Sequence, residues 1–392
     1  MSSVNTHSSP IDTGAAEPSA AKIPAPAERF HQLDGLRAVA VGLVMVHHML
    51  TDPMRHWLER QGHAYLANLL YHTTGSGVEL FFVLSGVVLL RPYLRGRRKF
   101  NTNSYLRRRV ERLFPPYLVA LCLEAFVAWL VIRYPTWLTR ETSHVEFSFN
   151  GFAKQLGIVS FGWPHYNAAW WSLSVEVLFY LIVPLLIPFF AWQKMNRTFL
   201  GAVGVISIAL GVLFLPWVNN ENPDTWTSLQ RLAVYSSCFL LGIAIAKYDW
   251  PARAGWVMVI CGSAYVLIAT AVPQMVYHVG YGFLYAGLMV IALSPGNRLA
   301  PRLSGRLMLW IGERSYSLFL IHFTAFFAAN YVASRLMDHK NLSYLLLTRV
   351  GGITLAVFGA MLMFQWIERR FARNLVTADQ FWPPIFPSKR AK

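Results

Sequence analysis

Ten apolar runs of near-spanning length recur along this chain, at about 33–51, 76–94, 113–133, 170–191, 199–218, 229–247, 254–272, 275–294, 312–334 and 348–367. A bilayer core offers no water to backbone N–H and C=O groups. Each continuous run therefore has to satisfy its own backbone, and a helix does so. The expected fold is all-α and polytopic, with about ten transmembrane helices. Composition agrees: 55% of the residues are hydrophobic and 14% are charged, against about 25% charged in a typical soluble domain. The 14 Trp and 17 Tyr suit aromatic belts at the two interfaces. The seventh and eighth runs are divided only around Pro273. The third can begin earlier, as a basic amphipathic helix from Ser104.

Charge sorts the loops. With the N-terminus inside, the cytoplasmic segments hold 24 Lys and Arg, nine of them between Arg91 and Arg112, and the opposite loops hold seven. This bias predicts that both termini are cytoplasmic, which an even number of spans requires. Residues 1–32, rich in Ser, Ala and Pro, read as a disordered cytoplasmic tail without a cleaved signal. Residues 33–373 read as the transmembrane domain and 374–392 as a second cytoplasmic tail. The net charge of +16 sits mostly in these cytoplasmic segments, so it points to topology and membrane lipids and not to nucleic acid. Cys122, Cys238 and Cys261 fall in apolar runs and read as small core residues, with no disulfide or metal spacing. No internal repeat is evident, which argues against an inverted-repeat transporter. The polar and aromatic loop at about 134–169 is long enough to cover a site, or simply connects.

Ionisable side chains inside such runs are costly and mark polar cavities. Arg37 and His48 are eleven residues apart, so they return to one helical face within about 20°. His47 falls roughly 80° away. His48 lies roughly 22 Å along the first helix, well into the membrane. Imidazole titrates near neutral pH, which suits a general base, and His48 is the candidate. Arg37, nearer the cytoplasm and with Asp34 at i−3 as its partner, suits binding an anionic donor or orienting a carboxylate. Glu79 and Ser85 open the second run. Glu176 and Tyr180 stand one turn apart in the fourth. Ser315, Tyr316 and His322 open the ninth, with Ser315 and His322 on one face. Each alone reads equally as a helix–helix hydrogen bond, but three such sites on different spans point to a shared polar pocket. Glu79 and Glu176 are candidates to orient His48 or to position an acceptor. Arg108, Arg109 and Arg112, at i, i+3 and i, i+4 spacing, can converge on one anion, and the guanidinium fork suits phosphate. Their competing role is a topological anchor among lipid headgroups. A rival class is a multi-span transporter or flippase that uses Arg37, His48 and the Glu residues as a pathway. Another is a scaffold whose polar groups only join helices.

Five blocks together resemble acyltransferase family 3, the integral-membrane O-acyltransferases that include bacterial O-antigen acetyltransferases. They are LDGLR at 33–37 followed by His48, GVELFFVLSG at 77–86, RRVERLFP at 108–115, WSLSVE at 171–176 and SYSLFLIH at 315–322. The likeness runs from about 33 to 373. Glu79 stands where Asp is common, Val177 where an acidic or aromatic residue often follows, and Arg370 where Pro often stands. The resemblance implies a multi-pass protein of a bacterial inner or plasma membrane. It implies transfer of an acyl group, often acetyl, from acyl-coenzyme A to a hydroxyl of a glycan, glycolipid or small acceptor. Acetyl-coenzyme A would be a donor substrate, with no permanently bound cofactor and no metal. Arg108, Arg109 and Arg112 would meet the donor, and His48 would act as base or carry the acyl group, these two routes remaining open.

Overall fold

The computed structural model describes residues 30–136, 149–158, 167–191, 196–218, 228–271, 276–337 and 342–373. The described residues are helical, with no strand among them. Helix α1 (His31–Val46) widens into a π-turn at His47–Thr51 and continues as α2 (Asp52–Arg60). α3 (Ala64–Gly75) and α4 (Gly77–Leu94) form one nearly continuous span. α5 (Thr102–Arg133) is a single 32-residue helix that carries the basic block into the membrane. Its start is fixed by Asn101, whose side chain accepts from the Ser104 amide at 2.9 Å, as an N-cap should. The helix runs through Pro115 and Pro116.

After α6 (Phe149–Leu156) and a 3₁₀ turn at Ala168–Trp170 come α7 (Trp171–Ala191), α8 (Arg197–Val218), α9 (Ser228–Lys247), α10 (Ala252–Ala271) and α11 (Tyr277–Leu293). Short α12 (Leu299–Leu303) and α13 (Arg306–Glu313) lead into α14 (Ser315–Leu336). α15 (Leu342–Leu346), α16 (Gly352–Met363) and α17 (Arg369–Arg373) are joined by π-turns at Leu347–Gly351 and Phe364–Glu368.

Among the described residues, nine helical runs of 18 residues or more are apolar enough to cross a membrane. The chain is a multi-pass membrane protein. The eighth expected run forms α11, which at 17 residues is shorter than the rest. α11 packs against α10, α9 and α4, so protein, and not lipid, covers most of its length. The proposed tails at 1–29 and 374–392, the loop 219–227 and most of the segment at 134–169 lie outside the described residues.

Small residues set the closest crossings, as expected where helices associate without a hydrophobic drive. α4 and α9 meet at Gly86 and Gly242, where a Cβ on either would run into the backbone of the other helix. A Cβ on Gly312 would run into the Asp34 carbonyl, so this glycine lets the end of α13 come up against α1. The outer faces are apolar: Leu185 is 75% exposed and Val205 67%, as suits lipid-facing positions. Cys238 is buried, but Cys122 and Cys261 are exposed. These two are not core residues, because they fall on faces of α5 and α10 that no other described helix covers.

Candidate active site

α1, α4, α5, α7 and α14 enclose a cavity that gathers most of the polar side chains singled out in the sequence. Arg37, Ser85, Arg109, Arg112, Glu176, Tyr180, Ser315 and Tyr316 all line it. Its remaining wall is mainly apolar, including Val78, Phe81, Leu113, Leu173 and Phe319. Arg37 Nη1 donates to Asp34 Oδ1 at 3.0 Å, the i, i+3 pairing expected. Glu176 Oε1 accepts from Ser85 Oγ at 2.8 Å and from the Tyr180 hydroxyl. Two helices, α4 and α7, thus meet on one carboxylate. The Tyr316 hydroxyl donates to the Leu113 carbonyl at 2.9 Å. Arg109 stands over the rings of Tyr105 and Tyr180, 5.5 and 5.8 Å from their centroids. Its Nε is buried without a hydrogen-bond partner among the described residues. Three guanidinium groups against one carboxylate make the cavity wall cationic, a setting for an anion.

Arg108 does not join them. Its Nη2 donates to the Tyr93 hydroxyl at 3.2 Å. It is absent from the cavity lining, where Arg109 and Arg112 stand.

A second cavity, of about 70 Å³, lies at His48. His47, His48, Val44, Gly75, Val78, Ala169, Trp171 and Phe319 line it. Val78 and Phe319 border both cavities. The His48 and His322 rings stand 5.3 Å apart between centroids. His322 is fully buried. Its Nδ1 meets the Phe319 carbonyl at 2.8 Å, which assigns the proton to Nδ1 and leaves the lone pair on Nε2. That Nε2 is buried with no partner among the described residues. His47 was placed well off the Arg37 face by regular helix geometry. The π-turn that begins at His47 breaks that geometry, and both imidazoles reach the chamber, 5.1 Å apart. His47 Nδ1 also meets Thr74 Oγ1 at 3.1 Å.

Glu79 lines neither cavity. Its Oε1 lies 2.6 Å from Nδ1 of His278 on α11, and so it does not reach His48. Both groups are buried, with Tyr235 4.4 Å and Tyr277 4.2 Å from the His278 ring. Sequence reasoning missed His278, although an imidazole in an apolar run is the same signal that picked out His48. It also missed Glu124, which accepts from Thr324, and Glu368, which accepts from Ser317 at 2.5 Å. Both pairs tie α14 to its neighbours. Of the aromatic loop, α6 is described: the Tyr117 hydroxyl donates to the Gln155 carbonyl at 2.5 Å, and Phe152 packs on the core around Trp170 and Leu320. Among the described residues no group of His, Cys, Asp or Glu is arranged to hold a metal ion.

Comparison with known proteins adds an independent line. A family profile described as an acyltransferase domain matches residues 30–366. The chain is 26% identical over 354 residues to the O-acetyltransferase OatA of Staphylococcus aureus (strain NCTC 8325 / PS 47), covering 81% of this chain and 54% of that protein. It is 26% identical over 326 residues to the peptidoglycan O-acetyltransferase OatA of Listeria monocytogenes serovar 1/2a, covering 74% and 48%. The chain therefore spans about half the length of these relatives. No solved structure matches.

Proposed function

The chain belongs to the acyltransferase-domain family, and from that premise we propose that it moves an acyl group, acetyl by preference, from acyl-coenzyme A to a hydroxyl of a glycan, glycolipid or small acceptor. The observation that carries this reading is the pair of adjoining cavities. Arg37, Arg109 and Arg112 line one, a chamber with His48 beside His322 is the other, and Val78 and Phe319 border both. A flexible thioester arm suits that layout, with its phosphates held by guanidinium forks and its carbonyl brought to an imidazole. The loop charge bias supports cytoplasmic termini and donor entry from the cytoplasm. The glycan acceptor is supported by the name of the Listeria relative.

In this mechanism His48 takes the acceptor's hydroxyl proton as the oxygen attacks the thioester carbonyl. A C–O bond forms, the C–S bond breaks, and the proton passes from His48 to the departing sulfur. The products are the ester and free thiol, with no net proton change. The His322 ring packs beside that of His48. Glu176, braced by Ser85 and Tyr180, holds the cavity wall facing the arginines.

The test is acceptor-dependent release of coenzyme A thiol from acetyl-coenzyme A by the purified full chain in detergent. Release should depend on His48. Thiol release that is unchanged in a folded His48→Ala protein would overturn the assignment.

A further inference from the structure

The structure assigns a limit on acyl chain length to Val78 and Phe319; this rests on the reading that a thioester arm passes Arg37 to reach His48. Val78 and Phe319 are the two residues common to both cavities. An acyl group carried from the arginine end to His48 has to pass between them and stop against what lies beyond. The space beyond is small. The chamber at His48 has a volume of about 70 Å³. A dry cavity of about 150 Å³ holds benzene, or roughly 25 Å³ for each of six carbons. By that measure the chamber takes about three heavy atoms, the methyl, carbonyl carbon and oxygen of an acetyl group.

The walls resist enlargement. Phe319 is 8% exposed and Val44 3%, and both belong to the core cluster that includes Leu173 and Leu318. Phe81 stands edge-on to Phe319 with ring centroids 6.3 Å apart. Ala169, on the far wall, is 3% exposed. Interiors packed in this way yield little to an added methylene. Val44, Ala169 and Trp171 put apolar surface beside the imidazoles, so a longer chain is refused for its length and not for its polarity. The carbonyl that accepts from His322 is backbone, so Phe319 can be shortened without removing that hydrogen bond.

The experiment uses washed membranes carrying the full chain. They are supplied with radiolabelled acetyl-coenzyme A or butanoyl-coenzyme A, and alkali-labile label in the envelope glycan fraction is counted above a His48→Ala control. The readout is the butanoyl-to-acetyl ratio within one preparation, which does not depend on how much of a variant folds. The parent should favour acetyl by at least tenfold. Phe319→Ala should raise the ratio at least tenfold, and Val78→Ala should raise it by a smaller factor. Val78→Ala carries the test alone if Phe319→Ala does not accumulate. A parent that transfers both chains equally, or variants that keep the parent's ratio, would overturn the length limit while leaving the transferase reading intact. A parent that transfers neither label overturns the donor assignment and the limit with it.

Discussion

Removing either partner of the Glu79–His278 pair should destabilise the protein without entering its chemistry. The two side chains are 4% and 5% exposed, and Nδ1 lies 2.6 Å from Oε1. Breaking one partner of a buried ion pair in a soluble protein costs about 3–5 kcal/mol. Interhelical hydrogen bonds inside membranes have measured far weaker, about 0.6 kcal/mol on average and about 1.7 at most, because the unfolded chain in lipid also finds partners. The short distance, the burial and an ionisable partner on each side put this pair at the upper end, where hydrogen bonds to charged groups contribute about 1.5–3 kcal/mol. A coupling of about 1.5 kcal/mol follows, roughly tenfold in the unfolding equilibrium. The assay is a double-mutant cycle of Glu79→Ala, His278→Ala and the double variant, unfolded in mixed micelles and followed by Trp fluorescence. The double variant should lose about 1.5 kcal/mol less than the sum of the singles. Costs that add within about 0.5 kcal/mol would refute the coupling. Glu79→Gln should keep the donor KM and turnover of its folded fraction. Lost turnover at full stability would return Glu79 to the catalytic set.

Three further outcomes are expected. His48→Ala should insert and purify normally yet lose at least 100-fold in turnover, the scale of a missing general base; activity assays on monodisperse protein decide it. Arg109→Lys together with Arg112→Lys keeps the charge but not the fork, so the KM for acetyl-coenzyme A should rise several-fold with little change in acceptor dependence. An unchanged KM would make the cluster a topological anchor. In a background with the native cysteines replaced by Ser, Asn222→Cys should react with an impermeant maleimide on intact cells and Arg97→Cys should not; the reverse pattern would invert the topology.

Much of this architecture is legible in the sequence because a membrane imposes two strong rules. Spans must be long and apolar, and an ionisable group within one needs a reason. The first rule locates the spans, and the basic amphipathic stretch read from Ser104 joins the third of them in one helix that starts at Thr102. The second singles out Arg37, Glu176 and Tyr180, and the structure adds to their cavity Arg109 and Arg112, which the sequence offers only as a separate basic cluster. What it does not supply is partnership. Glu79 and His278 lie 199 residues apart, and no local pattern says which distant imidazole a carboxylate will meet. The π-turn at His47–Thr51 is equally silent, since helical arithmetic assumes a regular helix. That arithmetic separated His47 from His48, and the turn puts both on one chamber. Cys122 and Cys261 misled for a related reason: an apolar position in a spanning helix faces lipid as readily as it faces protein.

The same helix explains why the charged and imidazole ends are separate cavities. Arg37, Val41, Val44 and His48 succeed one another at spacings of four, three and four, one stripe along α1. Its two inner members are buried, Val41 fully and Val44 at 3% exposure, and Val78 and Phe319 border the cavities on either side. About 16 Å of helix therefore separates the guanidinium from the imidazole, and apolar side chains line the interval. A charged group drawn through that interval would lose its hydration without gaining a partner. On the proposed reading, a compact anionic donor held at Arg37 would have to carry its charge through that interval to bring its acyl group to His48. A donor whose charge stays at the arginines, and whose uncharged arm spans the interval, would not. On the proposed reading, the spacing of these two ionisable residues in the first helix favours a long-armed thioester over a small acyl phosphate as the donor.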